Sequence, residues 1–209
     1  GRWGKKRNKS RNYGHLKGVE VIRKIIRGSL KLQIPIVSFY VFSSENWKRP
    51  KREINFLFNL IESYFSKEIQ NVIDQGIKIR ILGEKETLPK KINKSLKNVE
   101  LLTKKNKKII VNLAINYGSK NEILNSFKKI KKKVNIKSFE KNLYTKNMPD
   151  PEILIRTGNR RRLSNFLLWQ LSYTEIFFEK KLWPEFTKKD FRKIVLNFSK
   201  VKRNFGGIN

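Results

Sequence analysis

The chain lacks several features that mark other classes of protein. It has no cysteine, which excludes disulfides and thiolate metal sites and fits a reducing compartment. No stretch reaches the ~18 apolar residues that a membrane-spanning helix needs. No secretory signal peptide is visible. We therefore expect a cytoplasmic protein. Because the chain begins at Gly1 without a methionine, we also expect residues upstream of it.

Acidic residues are scarce: 17 stand against 49 basic ones, for a net charge of +32. Such a charge suggests nucleic-acid binding. Three observations argue against it. Lysine, asparagine and isoleucine together are what A/T-rich codons supply, the lysines are spread along nearly the whole chain, and no nucleic-acid-binding motif is present. We predict no nucleic-acid partner, and an RNA-binding module stays the least favoured alternative. The same positive charge would also attract an anionic substrate or an anionic membrane surface.

What is present indicates an α/β protein. The 209 residues suffice for one domain with a sizeable core, and 14 phenylalanines, six tyrosines and four tryptophans argue against disorder. Apolar spacing predicts strands at 36–42, 77–82, 108–115, 152–155 and 174–178. It predicts helices at 16–30, 54–72, 90–104, 120–132 and 138–144, and a last helix capped by Thr187. This alternation predicts a mostly parallel central sheet flanked by helices.

Three polar clusters follow predicted strands, at 43–49, 116–118 and 157–164. Ligands of open parallel sheets bind at the carboxyl ends of the strands, so the three clusters are expected to form one site. The lysine-rich run at 128–133 is interpreted instead as a solvated helix face.

The N-terminal stretch offers a first anion site. Gly1 and Gly4 allow close backbone approach, and the forks of Arg2 and Arg11 suit a phosphate. His15 lies near a predicted helix start, where backbone N–H groups favour anions. A frayed basic terminus is the alternative.

The other two clusters suggest ligand binding. The run FSSENWKRPKRE at 42–53 places hydroxyl, amide, indole and guanidinium groups directly after a strand. The run RTGNRRRLSN at 156–165 carries four arginines and two hydroxyl residues, a composition that favours phosphate. Neither contains a Walker loop or a nucleophile elbow. A polar turn and a solvated basic loop are the alternatives. Glu175, before an apolar strand, is either a ligand or a surface residue.

In order and spacing, the two runs FSSENWKRPKRE (42–53) and RTGNRRRLSNFLLWQLSYTE (156–175) resemble the cis-prenyltransferase family. The resemblance extends from Gly1 to about Gly207. It implies repeated cis condensation of isopentenyl diphosphate onto farnesyl diphosphate, giving a lipid carrier for cell-wall synthesis. It also implies a sheet of about six strands with an apolar tunnel, Mg²⁺ as the cofactor, a homodimer, and peripheral membrane association compatible with product release.

The resemblance assigns roles by position. It places catalytic functions on Ser43, Asn46 and Arg49, and a metal-linked carboxylate on Glu175. The remaining matched positions are substrate-binding: Gly1, Arg2, Trp3, Arg11 and His15 at the starter diphosphate, Phe42 and Trp47 as walls, and Arg156, Arg162 and Ser164 at the isopentenyl diphosphate. The growing chain is expected between the helices at 16–30 and 54–72 and the strand at 109–113, whose inward faces are apolar.

The sequence departs from the family pattern at two places. The family has Asp-Gly-Asn, preceded by a strand, directly before Gly1, and that Asp is its main Mg²⁺ and diphosphate partner. We expect residues 1–209 to form a single domain that lacks this strand and segment, as a fragment of a longer chain. Asn159, Arg160 and Arg161 stand where the family has small or acidic residues. A non-catalytic relative that supports a partner enzyme is therefore the second hypothesis.

Overall fold

The structure is a computed structural model that describes residues 1–131 and 133–204. Helices and strands alternate along most of the chain. In order they are α1 (Arg2–Lys5), α2 (Arg11–Lys31), β1 (Ile36–Ser43), a 3-10 helix (Ser44–Lys48), α3 (Lys51–Asp74), β2 (Ile77–Leu82), α4 (Lys90–Thr103), β3 (Ile109–Tyr117), α5 (Ser119–Lys128), α6 (Ile136–Glu140), β4 (Ile153–Arg156), β5 (Glu175–Phe178), a second 3-10 helix (Trp183–Glu185) and α7 (Lys188–Phe198).

All strand pairs are parallel. One sheet has the order β1-β3-β2, and β4 and β5 form a second sheet of two strands. The predicted α/β architecture and its five predicted strands are thus confirmed, but within the described residues no strand joins β1 to β4. The prediction that a strand and an Asp-Gly-Asn segment precede Gly1 stays a prediction.

Alternation along the strands separates two cores. Side chains of successive residues point to opposite faces of a sheet. Odd-numbered residues such as Val111 and Leu113 join the main core beneath α2 and α3, whereas Ala114 belongs to a second cluster with Phe166 and Leu167. In the β1-β3-β2 sheet the face towards the main core is apolar, whereas the other face also carries polar residues, among them Lys78, Arg80 and Asn112.

Local sequence signals explain several helix ends. The Ser10 side chain accepts a hydrogen bond from the backbone N–H of Tyr13 at the start of α2. After α3, Gly76 adopts φ +67°, a left-handed conformation that glycine tolerates best. At α7, the Thr187 side chain accepts from the Asp190 N–H at 3.2 Å, and the Asp190 carboxylate accepts from the Thr187 N–H at 2.8 Å. The predicted cap of the last helix is therefore confirmed.

Two predicted helix ranges were displaced. The helix predicted at 120–132 ends at Lys128, and residue 132 itself lies outside the described part of the chain. The short helix predicted at 138–144 is α6, which begins earlier because Asn135 caps it by accepting from the Ser138 N–H at 2.8 Å. Lys128, Lys129, Lys131 and Lys133 are exposed, as predicted, but only Lys128 lies in a helix, so the run is not the helix face that was expected. Among the described residues, no helix is long and apolar enough to cross a bilayer.

Candidate active site

Three segments meet where β1, β3 and β4 end. They are the 3-10 helix after β1, the start of α5 after β3, and the loop after β4. They enclose a cavity of about 1350 Å³, open solvent at its mouth included. Its lining combines cationic, hydroxyl, amide and apolar groups: Tyr40, Val41, Ser43, Glu45, Asn46, Arg49, Lys120, Arg156, Arg162, Leu163, Ser164, Asn165 and Leu168.

Glu53, near the start of α3, holds a group of cations beside this cavity. Its carboxylate accepts two hydrogen bonds from Arg11, at 2.8 and 3.0 Å, and one from Arg49 at 3.1 Å. His15 Nε2 lies 3.2 Å from Glu53 Oε1. Glu53 is only 7% exposed. One buried carboxylate therefore fixes residues from α2 and from the run at 42–53 in a single arrangement.

Electrostatics keep this carboxylate charged. Burial alone raises the pKa of Glu53, but hydrogen bonds from Arg11 and His15 and the charges of Arg11 and Arg49 outweigh it and lower the pKa to about 2. Burial lowers the pKa of His15. Glu53 is thus an anion at neutral pH, and it orients the guanidinium groups while leaving them further N–H donors for a ligand.

The N-terminal segment connects this group to the loop after β4. Arg2 Nη1 donates to the Gly158 carbonyl at 2.9 Å. A Cβ on Gly158, which has φ +88°, would lie 2.5 Å from Arg2 Nη2, so the close approach requires glycine. Trp3 donates through Nε1 to Glu185 at 3.2 Å and stacks on Tyr13 at 5.7 Å. Gly1 lies against the Arg11 guanidinium.

Trp47 packs beside the cavity without lining it. Its indole N–H donates to Asn116 Oδ1 at 2.8 Å, and its ring meets Phe42 edge-on at 5.4 Å and Phe58 at 5.6 Å. Asn116, with φ 50°, in turn donates to the Glu84 carbonyl at 2.9 Å. The cluster at 116–118 therefore holds part of the cluster at 43–49 in place, although it does not line the cavity itself.

The loop after β4 has an uncommon backbone. Asn159, Ser164, Asn165 and Leu167 all have φ between 46° and 63°, and Gly158 is also left-handed. Non-glycine residues adopt this region rarely, and clusters of them are typical of functional sites. Asn165 compensates in part, because it donates to Glu45 at 2.7 Å and accepts from the Lys120 N–H at 2.9 Å.

Arg156, at the end of β4, is the most enclosed cation of this loop. Its Nη2 lies 3.5 Å from Ser164 Oγ, and its Nε is buried without a hydrogen-bond partner among the described residues. Burial, and then the charges of Arg162 and Arg2, lower the pKa of Arg156. Such a group gains from an anion that supplies both charge and acceptors.

The structure brings most of the predicted site residues together. Ser43, Asn46, Arg49, Arg156, Arg162 and Ser164 line one cavity, and Phe42, Trp47, Gly1, Arg2, Arg11 and His15 adjoin it through the contacts above. Trp3 and Glu175 are the exceptions. Trp3 contacts Glu185 and Tyr13, neither of which lines the cavity. Glu175 lies at the other end of its strand. It pairs with Ile153 at the amino ends of β4 and β5, whereas Arg156 pairs with Phe178 at the carboxyl ends, roughly 10 Å along the strand. Its metal role stays a prediction.

A metal cage of protein ligands is absent from the described part of the chain, where no three acidic, histidine or cysteine residues are grouped. Mg²⁺ does not need such a cage, since one or two carboxylates and substrate phosphates commonly hold it. Glu45 lines the cavity and supplies one carboxylate. The donor set therefore fits a Mg²⁺ ion that enters with an anionic substrate.

An apolar cavity adjoins the cationic one. It encloses about 820 Å³, open solvent at its mouth included, between α2, α3 and the β1-β3-β2 sheet. Val41 lines both cavities, so their walls meet at β1. Strands β1–β3 contribute only aliphatic residues to its wall: Val41, Ile77, Ile79, Val111, Leu113 and Ile115. This is the position expected for the growing chain.

Sequence reasoning overlooked two contributors. Glu53 is the last residue of the run at 42–53 that carries the resemblance, but no role was predicted for it. Lys120, at the start of α5, lines the cavity because Gly118 allows α5 to approach the 3-10 helix; a Cβ there would lie 2.4 Å from Ser44 Oγ. No local signal distinguished Lys120 from the many other lysines.

A cationic cavity that shares a wall with an apolar one is typical of the class of proteins that bind amphipathic anions. The sequence profile of the prenyltransferase family described as "Putative undecaprenyl diphosphate synthase" matches residues 1–206, and the chain belongs to this family.

Curated relatives agree with this assignment. The chain is 42% identical over 216 residues to an "Isoprenyl transferase" of Thermotoga maritima, covering 100% of this chain and 93% of that protein. It is 40% identical over 218 residues to one of Prochlorococcus marinus, covering 100% of this chain and 80% of that protein.

Solved structures show the same fold. A probable undecaprenyl diphosphate synthase from Campylobacter jejuni superposes with a TM-score of 0.83 at 36% identity, covering 91% of this chain and 92% of that one. Lavandulyl diphosphate synthase from Lavandula x intermedia, in complex with dimethylallyl diphosphate, gives a TM-score of 0.93 at 29% identity, covering 98% of this chain and 93% of that one.

Proposed function

We propose that this protein condenses isopentenyl diphosphate repeatedly, with cis geometry, onto a farnesyl diphosphate starter. The product is a long polyprenyl diphosphate of the undecaprenyl type, a lipid carrier for cell-wall synthesis. The observation that carries the proposal is the junction at Val41 between a cationic and an apolar cavity. A substrate with a diphosphate head and an isoprenoid tail matches both.

The starter binds with its diphosphate at the group held by Glu53. Arg11 and Arg49 keep unused N–H donors there, and Arg2 and the Gly1 backbone lie beside them. The tail lies in the apolar cavity between α2 and α3. Cations held in place before the reaction stabilise the diphosphate as it leaves, since no reorganisation is needed when its charge develops.

Isopentenyl diphosphate binds at Arg156, Arg162 and Ser164. The strained loop and the unpartnered Nε of Arg156 support this assignment. In the reaction, a carbon–carbon bond forms to the allylic carbon, the bond from that carbon to diphosphate breaks, and the isopentenyl unit loses a proton. The departing diphosphate takes up this proton, and Ser43 and Asn46, which line the cavity, orient the reacting groups.

Mg²⁺ is the proposed cofactor. Bound to diphosphate oxygens, it would neutralise charge on the leaving group. Glu45 is the carboxylate that lines the cavity, and Glu175 is a second candidate by family position. The cations of the site hold the same diphosphates in place.

We also propose a cytoplasmic homodimer that associates with the membrane surface to release its product. Ile176 and Phe178 on β5 are 40% and 46% exposed, which supports a self-association surface at this edge. The net charge of +32 favours contact with anionic lipid headgroups.

Incorporation of labelled isopentenyl diphosphate tests the proposed function. With farnesyl diphosphate and Mg²⁺, we expect long polyprenyl products, and no product after chelation of the metal. Arg156→Gln should raise KM for isopentenyl diphosphate at least tenfold, whereas Arg192→Gln on the exposed side of α7 should leave it unchanged. Starter binding without any turnover would instead support the non-catalytic hypothesis.

A further inference from the structure

One part of the apolar cavity is lined by polar residues. They lie in the later turns of α2 and α3 or, for the last of them, directly after α3: Arg23, Arg27, Glu68, Asn71 and Gln75. The rest of the lining is aliphatic or aromatic. A cavity built for an isoprenoid tail therefore changes character at one place along its length.

This polar part lies at the end of the cavity that is remote from the group of side chains held by Glu53. Both helices begin at that group, where Arg11 and His15 of α2 meet Glu53 of α3, and both run away from it. From Glu53 to Glu68 the helix advances roughly 22 Å at 1.5 Å per residue. A tail anchored by its head near Glu53 thus approaches Glu68 only after it has lengthened.

Arg23 joins the two helices at this point. Its guanidinium forms an ion pair with Glu68, and its central carbon lies 5.0 Å from the centre of the Tyr64 ring. Its Nε is buried and has no hydrogen-bond partner among the described residues. The Glu68 side chain is 23% exposed and that of Arg23 is 40% exposed. An unpaired buried donor lowers stability. The ion pair and the contact with the Tyr64 ring therefore hold the guanidinium in a position where its Nε has no partner among the described residues.

We propose that the Arg23–Glu68 ion pair closes the remote end of the apolar cavity and thereby sets the length of the product. This inference rests on the proposed function. While the tail grows along the aliphatic walls, each added unit gains apolar burial. When its end reaches the pair, further growth must separate the two ions or desolvate them without compensation, and that gain is lost.

A purely structural role, in which the pair only ties α2 to α3, makes a different prediction. Removal of a tie lowers stability but leaves product length unchanged. Removal of a charged barrier lengthens the product even when stability is kept. The two roles are therefore distinguishable by product length.

Four proteins provide the test. The double variant Arg23→Leu with Glu68→Leu replaces the ions by apolar groups, and the exchange Arg23→Glu with Glu68→Arg restores a pair in reverse. Lys17→Leu with Glu20→Leu is the matched control, because it removes a 2.7 Å ion pair on the surface of α2 that does not line the cavity. Glu68→Gln replaces the double-leucine variant if that protein does not fold.

Product length is the first measurement. With labelled isopentenyl diphosphate, we expect the double-leucine variant to shift the main product by at least one isoprene unit above that of the wild type. The control should keep the wild-type distribution, and the exchanged pair should return close to it. Unchanged length in both the double-leucine variant and Glu68→Gln would overturn the proposal.

The second measurement is the binding of polyprenyl monophosphates of increasing length, without metal. Affinity for the wild type should rise with each unit and then level off, and the plateau should begin at a longer chain in the double-leucine variant. Identical plateaus would overturn the proposal. If the proposed function fails, the wild type makes no product, whereas this binding series still decides whether the pair limits chain length.

Discussion

Two buried carboxylates, on opposite sides of the β1-β3-β2 sheet, differ in their partners. Glu53 is 7% exposed and accepts from Arg11 and Arg49, with His15 in contact. Glu122 of α5 is 1% exposed, and its partners within the described residues are all neutral groups. These are the Tyr117 hydroxyl at 2.5 Å, the Tyr144 backbone N–H at 2.8 Å and the Gln170 amide at 3.2 Å.

The partners indicate what each carboxylate does. Around Glu53 the cations keep donors to spare, so the carboxylate orients groups that a diphosphate can still use. Around Glu122 the donors are already bonded to the carboxylate, and these hydrogen bonds connect β3 and α5 to the segments at 144 and 170. Burial, and then Glu122, raise the pKa of Tyr117, which keeps its hydroxyl protonated as a donor. One carboxylate thus organises a binding site, and the other stabilises the fold.

Replacing Glu122 should produce the largest effect. Glu122→Leu removes an acceptor from the Tyr117 hydroxyl, the Tyr144 backbone N–H and the Gln170 amide, so we expect the free energy of unfolding to fall by about 3–5 kcal/mol. Urea denaturation measures the loss. Glu86→Leu, at an exposed position, is the control and should change stability little. Equal midpoints for the two variants would contradict the assigned role of Glu122.

Glu53→Gln should affect activity more than folding. The amide no longer balances Arg11 and Arg49, so these cations lose their fixed orientation. We expect kcat/KM to fall about 100-fold, equivalent to about 2.7 kcal/mol. Asp74→Asn, exposed at the end of the same helix, should retain wild-type kinetics. A stable Glu53→Gln protein with unchanged kcat/KM would remove the distinction between the two carboxylates.

Acid titration should give the smallest effect. The pKa of Glu53 is lowered from 4.5 to about 2 in the folded protein. Its contribution to stability is therefore present above pH 4.5 and is lost as the pH falls from 4.5 towards 2. Relative to Glu53→Gln, the free energy of unfolding of the wild type should fall by about 2 kcal/mol across this interval. Denaturation at a series of pH values measures this difference. Parallel curves for both proteins would contradict the cationic environment of Glu53.

Much of the fold was predictable from local patterns. Apolar periodicity located the five strands and the long helices, and the cap at Thr187 identified the start of α7. The rule that ligands bind at carboxyl strand ends gathered the clusters at 43–49, 116–118 and 157–164 into one site. These signals are local in the chain or follow from parallel pairing, and both are available in one sequence.

Contacts between distant segments were not predictable in this way. The ion pair between Arg11 and Glu53 spans 42 residues, and its geometry depends on how α2 packs on α3. Glu175 was grouped with the site by family position, but the register of β4 and β5 puts it at the opposite strand ends from Arg156. Periodicity gives the face of a strand and not its neighbour's register, so neither fact could be derived from spacing.

The left-handed backbone positions have a consequence for how this sequence can change. In residues 1–131 and 133–204, asparagine occupies five of the eight non-glycine positions with positive φ: Asn8, Asn116, Asn147, Asn159 and Asn165. It tolerates that region better than most residues with a side chain. Asparagine is also encoded by A/T-rich codons, whereas glycine is encoded by G-rich ones. A genome that drifts towards A/T can therefore exchange glycine for asparagine at such turns and still preserve the path of the chain.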